Sequence, residues 1–284
     1  MTEIAKTVRW TEPGELVQVC ALCGDRARFT QAPGLCRRAA RCSACNGTLR
    51  NHDVARAILQ TYAPGADALP RALDRLRPLK IFEAQASGQL HQALAALPGY
   101  RCAEFFDEVA PGRNNAAGIR CEDLGRLTFP DDSFDLVVTQ DVLEHVPDPD
   151  AAFREISRVL TPSGYHIFSV PLHEGHRTAA RRRRTTDGET DLLPPVYHAD
   201  PLRAAGCLAC TDFGDDLCEL LRRRGLAAEI VVQTHFNGPD LIPWIADDNA
   251  YADYRRCTAG GTLEEMLRYF LYNSVVFRAG KAAG

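Results

Sequence analysis

"LTFPDDSFDLVVTQDVLEHVPDPDAAFREISRVLTPSGYHIFSVP", residues 127–171, is the stretch on which the fold turns. Within it, "FDLVVTQ" (134–140) and "YHIFSV" (165–170) are short apolar runs that read as strands. Between them "DAAFREISRVL" has apolar residues at helical spacing and reads as an amphipathic helix. A strand, a helix and a second strand in that order form the crossover unit of a parallel sheet.

The same alternation continues on both sides. "LKIFEA" (79–84) and "YRCAEFF" (100–106) read as earlier strands, with "QLHQALAAL" as the helix between them. A third strand is expected before "CEDLGRLTF", and "AAEIVVQ" (227–233) and "NSVVFRAG" (273–280) read as a late pair. The pattern predicts a doubly wound α/β sheet, which binds ligands beyond the carboxyl ends of its strands.

The chain has 284 residues, 45% of them hydrophobic, enough for one large core and one small extra module. A net charge of −4 gives no general attraction to nucleic acid or membrane, so any such partner must be met by a local patch. No apolar run approaches the roughly 20 residues of a membrane span. "MTEIAKTVRWTEPGE" is too polar for a secretory signal, so the expected compartment is the cytosol.

Eleven cysteines are many for that compartment, and an odd count does not fit a fully paired disulfide framework. Metal binding is the better explanation. "CALC" supplies Cys20 and Cys23, and "CSAC" supplies Cys42 and Cys45. Two such knuckles match a four-cysteine ribbon around Zn²⁺, assigned to residues 1–50. The ion is expected to be structural, because four thiolates leave no open coordination position. Gly24 and Gly47 follow the knuckles, where the backbone often needs positive φ. Cys36 is a possible substitute ligand without a partner at knuckle spacing. Arg26, Arg28, Arg37, Arg38 and Arg41 make the module basic, either as a solvated face or as a grip on an anionic substrate or RNA. "NHDVARAILQTY" (51–62) reads as a helix and "APGADALP" ends it, which places a helical linker at 51–78. The main domain then runs over 79–284, with substrate-side insertions at 171–212 and 234–272.

Candidate binding residues lie after the strands: Glu83, Ser87 and Gly88 after the first, Glu104 near the end of the second, Glu122 and Asp123 after the third. Acids at successive strand ends suit a cofactor with an amino group, a ribose and an adenine amine. A pyrophosphate would ask instead for a glycine nest and positive charge. S-adenosylmethionine is therefore favoured over a nicotinamide dinucleotide.

Residues 127–171 resemble the class I S-adenosylmethionine-dependent methyltransferases, in the branch with an "L-P-F-x-D-x-S-F-D-x-V" run, then "L-E-H-V", then "R-V-L-x-P-G-G". The resemblance covers 79–278 more loosely and implies a seven-stranded Rossmann-like sheet whose last two strands have reversed pairing. By the same resemblance, Glu104 matches the ribose-binding acid and Asp123 the acid that accepts from the adenine amine. Leu124 and Phe129 border the adenine, while Gln140 and Asp141 lie where methionine and acceptor meet. The first motif departs from the family. Aligned on Gly88, the expected acid falls on Phe82, two expected glycines are Ala84 and Ala86, and Glu83 is one residue out of register.

A base is needed where the acceptor must lose a proton, and His145, His173, His176, His198 and Tyr197 are candidates, with His173 and His198 ranked first. Asp141, Glu144 and His145 would share one face of a helix and could hold Mg²⁺ or Zn²⁺. The quinone-biosynthesis O-methyltransferases carry a similar acid-x-x-Glu-His run. Packing and helix-end roles for Glu144 and His145 are the alternative. Arg181 to Arg184 read either as a clamp for phosphate or carboxylate or as a solvated loop. "CLAC" (Cys207, Cys210) with Cys218 and Cys257 could take a second metal but has no second knuckle. The expected activity is methyl transfer to a small-molecule or sugar acceptor. An RNA methyltransferase is opposed by the acidic charge and the lack of an Asn-Pro-Pro-Tyr motif. A non-catalytic adaptor with a degenerate loop is the remaining alternative. No motif in the insertions specifies the acceptor atom, and none specifies an oligomeric state.

Overall fold

The computed structural model describes residues 7–11, 16–30, 40–173, 177–185, 188–198, 203, 205–236 and 274–282. Its centre is a mixed sheet in the order Tyr100–Cys102, Ile81–Glu83, Phe134–Gln140, Leu160–Ser169, Ser274–Lys281, Leu226–Phe236, Thr7–Thr11. The first four strands are mutually parallel. Ser274–Lys281 runs antiparallel to both of its neighbours, which is the reversed late pair expected from the sequence.

The sheet departs from expectation at both edges. The strand expected before Cys121 shrinks to one parallel bridge between Glu104 and Cys121. The cause is local. Asn115 Oδ1 accepts from the Ala117 and Ile119 amides, and Gly118 at φ +79° folds the chain back on itself. At the other edge Thr7–Thr11 pairs in parallel with Leu226–Phe236, so this part of residues 1–50 belongs to the large sheet.

Both faces of the sheet are covered, which explains the nearly continuous apolar strands. Successive residues alternate between two cores. Ile81, Leu136, Val138, Ile167 and Val276 enter one, whereas Phe82, Val137, Phe168 and Phe277 enter the other. The second core also receives Phe153 and Ile156 of helix Pro149–Val159. That helix starts cleanly because Pro149 needs no amide partner and Asp148 Oδ1 accepts from the Ala151 amide at 2.9 Å.

The first core contains helix Leu49–Tyr62 and, with it, the cysteine-bearing module. Cys20, Leu22 and Phe29 lie in one cluster with Val54, Ile58 and Leu136. The helix expected as a linker therefore covers a face of the main sheet, and the small antiparallel sheet of Leu16–Val19, Arg26–Thr30 and Arg41–Cys42 packs on it.

The first insertion is a β-built arm. Ala179–Ala180, Thr211–Gly214 and Leu172–His173 form a small sheet, Arg182–Thr185 pairs with Gly188–Asp191, and Tyr197–His198 pairs with Cys207–Leu208. Cys36, Arg37, Arg38, His176, Cys257 and most of the second insertion lie outside the described residues. Among the described residues no helix is long and apolar enough to cross a membrane.

Candidate functional site

The four ribbon cysteines converge. Their sulfur atoms all lie within 4.8 Å of one another, and Cys20 Sγ is 3.8 Å from Cys45 Sγ. A tetrahedral Zn²⁺ with bonds of about 2.3 Å sets its sulfurs about 3.8 Å apart. Each knuckle closes the same way: the Gly24 amide donates to the Cys20 carbonyl at 2.8 Å, and the Asn46 amide to the Cys42 carbonyl at 2.9 Å. The left-handed residues are Gly24 (φ +83°) and Asn46 (φ +61°), so the second knuckle uses Asn46 and not Gly47. Gly47 is small for another reason, since a Cβ there would come within 2.3 Å of Leu22 Cδ1. Burial pushes the Cys20 thiol well up, and it pushes the Cys45 thiol up to about 11. The donor set and spacing fit zinc.

At the carboxyl end of the sheet, the loop Ala84–Gly88 leads into helix Gly88–Leu94. Only Gly88 takes a left-handed backbone, at φ +88°, while Ala84 and Ala86 keep negative φ. The alanines at expected glycine positions are thus unstrained. Glu104 lies against this loop, its Oε1 accepting from the Ala86 amide at 2.9 Å. The Glu104–Cys121 bridge brings the following segment alongside, and Asp123 is stationed there with its Oδ1 accepting from the Gly125 amide at 2.8 Å. Leu124 is buried behind it, and Ser87 is exposed at the loop tip.

Glu83 turns inward. Its carboxylate accepts from the Tyr100 hydroxyl at 2.7 Å and from Gln140 Nε2 at 3.1 Å. Phe82, in register with the family's acid, points into the opposite core, as strand alternation requires. Burial pushes the Glu83 carboxyl up to about 8, although the Tyr100 and Gln140 hydrogen bonds act the other way. Gln140 is held from its far side by Asn51 Nδ2, which donates to Gln140 Oε1 at 2.7 Å.

Asp141 corrects one expectation. It stands at φ +52°, its carboxylate paired with Arg50 and accepting from the Ser169 hydroxyl at 2.9 Å. The 3₁₀ turn Leu143–His145 begins after Asp141, whose left-handed backbone takes it out of any continuous helix, so it does not share a helical face with Glu144 and His145 as the α-helical reading supposed. Instead the insertion delivers His198 to them. Ligand atoms of Glu144, His145 and His198 lie within 4.8 Å of one another, and Glu144 is 1% exposed.

The other acceptor-side candidates are separately placed. His173 is buried, with Nε2 3.7 Å from Asp212 Oδ1, and Arg181 Nη1 reaches Asp212 Oδ2 at 2.6 Å. Tyr197 is 59% exposed. The arginine run is divided rather than clamped, because Arg181 is buried against Asp212 while Arg182 pairs with Asp191 at 2.6 Å across its hairpin. Arg203 Nη2 donates to the Phe105 carbonyl at 2.9 Å, linking the arm to the segment that carries Glu104. Sequence reading did not single out Arg50 and Asn51. Nothing in their local pattern marks them, since only the docking of their helix brings them to residues about 90 positions later.

Residues 86–168, from the loop to the fifth strand of the reading above, match a family model described as a methyltransferase domain. The chain is 32% identical over 123 residues to a malonyl-[acyl-carrier protein] O-methyltransferase of Halorhodospira halophila, covering 37% of this chain and 42% of that protein. It is 31% identical over 159 residues to an uncharacterized methyltransferase of Mycobacterium avium, covering 43% of this chain and 63% of that one. The matches thus span less than two thirds of those relatives' lengths. A solved S-adenosylmethionine-dependent methyltransferase from Mesorhizobium loti overlays with a TM-score of 0.39 at 19% identity, covering 74% of this chain and 95% of that one, too loosely to speak for the site. Residues 86–168 are thus similar to a methyltransferase domain.

Proposed function

We propose that the protein transfers a methyl group from S-adenosylmethionine to a small-molecule or sugar acceptor, with a structural Zn²⁺ on Cys20, Cys23, Cys42 and Cys45. The observation that carries this reading is that Glu104 accepts from the Ala86 amide and Gln140 reaches Gln85 and Glu83 at an unstrained Ala84–Gly88 loop, at the start of the matched segment 86–168. In this reading Glu104 takes the ribose hydroxyls, and Asp123 accepts from the adenine amine beside Leu124 and Phe129. Glu83, Gln140 and Asp141 surround the methionine end, with Ser87 and Gly88 forming the loop wall.

The cofactor, when bound, supplies an electrophilic sulfonium methyl; the protein's task is alignment and exclusion of water. Asp141 places a carboxylate where a cationic cofactor gains from it, while Glu83, raised by burial to about 8, keeps its proton at neutral pH and acts as a hydrogen-bonding group. The β-built arm closes the acceptor side, bringing His198 to His145 and Glu144. Burial of His173 within the small sheet favours a structural role for that residue. The adaptor reading loses its main support, because Ala84 and Ala86 need no glycine geometry.

Calorimetric titration of zinc-loaded protein with S-adenosylmethionine and S-adenosylhomocysteine tests the proposal. Micromolar binding is expected, reduced at least tenfold in Glu104→Ala and Asp123→Ala variants that remain folded. No heat at millimolar cofactor from folded wild-type protein would overturn it.

A further inference from the structure

The group formed by Glu144, His145 and His198 has the geometry of a metal site. Glu144 Oε1 lies 3.6 Å from His145 Nε2 and 3.9 Å from His198 Nδ1. These distances are too long for hydrogen bonds. They are slightly wider than the roughly 3.3 Å between ligands on a tetrahedral ion with bonds of about 2.0–2.1 Å. The two imidazoles stand edge to face, with centroids 5.0 Å apart and planes at 80°, so they do not stack out an ion between them.

The tautomer of His145 is set by its surroundings. Its Nδ1 is 2.8 Å from the Leu208 carbonyl, which can only accept, so Nδ1 carries the proton. In the neutral ring, Nε2 then presents its lone pair toward Glu144. A ligating histidine whose other nitrogen donates to a backbone carbonyl is the usual outer-shell arrangement of metal sites. The arm is fastened in place by a second bond, from the Cys210 amide to the Glu144 carbonyl at 2.6 Å. His198 is held through the pairing of Tyr197–His198 with Cys207–Leu208. The histidines are partly accessible, with side chains 15% and 29% exposed, while the Glu144 side chain is 2% exposed. An ion can therefore reach the group from solvent.

We infer that Glu144, His145 and His198 bind a divalent transition ion of the Zn²⁺ class, three protein ligands leaving a further coordination position open. Two imidazoles and a carboxylate suit such an ion, whereas Mg²⁺ and Ca²⁺ prefer all-oxygen sets. The site is distinct from the ribbon in ligands and in place. Resting on the proposed methyl transfer, the open position would hold an acceptor hydroxyl and lower its pKa beside the end of strand Phe134–Gln140.

The test reads metal and not turnover, so it stands whether or not methyl transfer is found. Full-length wild type, Glu144→Gln and His198→Ala are reconstituted with Zn²⁺, dialysed against a weak chelator and assayed for zinc by mass spectrometry, with near-ultraviolet circular dichroism as the folding check. The expected result is one zinc per chain fewer in each variant than in wild type, with Zn²⁺ affinity at this site reduced about 100-fold or more. The difference is the readout, so ribbon occupancy cancels. Equal zinc content and affinity in wild type and both folded variants would overturn the inference. Should His198→Ala misfold, the near-isosteric Glu144→Gln decides alone.

Discussion

Glu83 shows how a single residue departs from the methyltransferase pattern that this chain resembles and still has a use. Burial is the main cause that raises its carboxyl, to about 8, and the neighbouring Glu104 adds to the effect. An unfolded glutamate titrates near 4.3. Between those values the folded chain holds a proton that the unfolded chain has released, so stability falls as pH rises. The contribution is present in full below about pH 4.3 and is gone above about pH 8, a span of a few kcal/mol by linkage. Glu83→Gln should therefore be relatively more stable than wild type at pH 8 than at pH 5, measured by thermal melting at both. Parallel melting profiles would show that Glu83 is ionised in the fold. At the same scale, Gly88 is the loop's one necessary glycine, and Ala84 and Ala86 are ordinary residues in ordinary backbone.

Helix Leu49–Tyr62 is the element that joins the two halves of the site. Thr48 and Asn51 form a capping box: Thr48 Oγ1 accepts from the Asn51 amide at 3.1 Å, and Asn51 Oδ1 from the Thr48 amide at 3.2 Å. With its oxygen so used, the Asn51 amide nitrogen is free to reach Gln140, and Arg50 beside it reaches Asp141. Thr48→Ala should cost about 1 kcal/mol in stability as a lost cap. Asn51→Ala should cost a similar amount and also weaken cofactor binding, by up to about tenfold for one buried hydrogen bond. Calorimetry on both variants separates the effects. Equal affinity in the two would remove Asn51 from the positioning network.

Across the whole molecule the cysteine module and the candidate cofactor loop border one core, and the Ala21 amide ties the module to helix Leu49–Tyr62 by donating to His52 Nδ1 at 2.9 Å. Burial raises the Cys20 and Cys45 thiols, which hold their protons when no ion is bound, and an ion must displace them. Chelating zinc should therefore lower the melting temperature and also weaken S-adenosylmethionine binding, with both restored by added Zn²⁺. Acidification should release zinc for the same reason, since protons compete for the sulfurs. Unchanged cofactor affinity in zinc-stripped, folded protein would show that the ribbon is energetically separate.

Much of this was written locally in the chain. Short continuous apolar runs and the helical spacing of 149–159 determined the sheet and its crossover, because burial on two faces makes a strand apolar along its length. Knuckle spacing determined the cysteine cluster, since four thiolates on tight turns have one way to converge. Contacts between distant segments left no such trace. The seventh strand at Thr7–Thr11, the turn of Asp141 toward Arg50, and the arrival of His198 beside Glu144 all depend on docking. Each joins residues tens to hundreds of positions apart, where side-chain identity sets what a contact can do and only the packed sheet decides which contacts form.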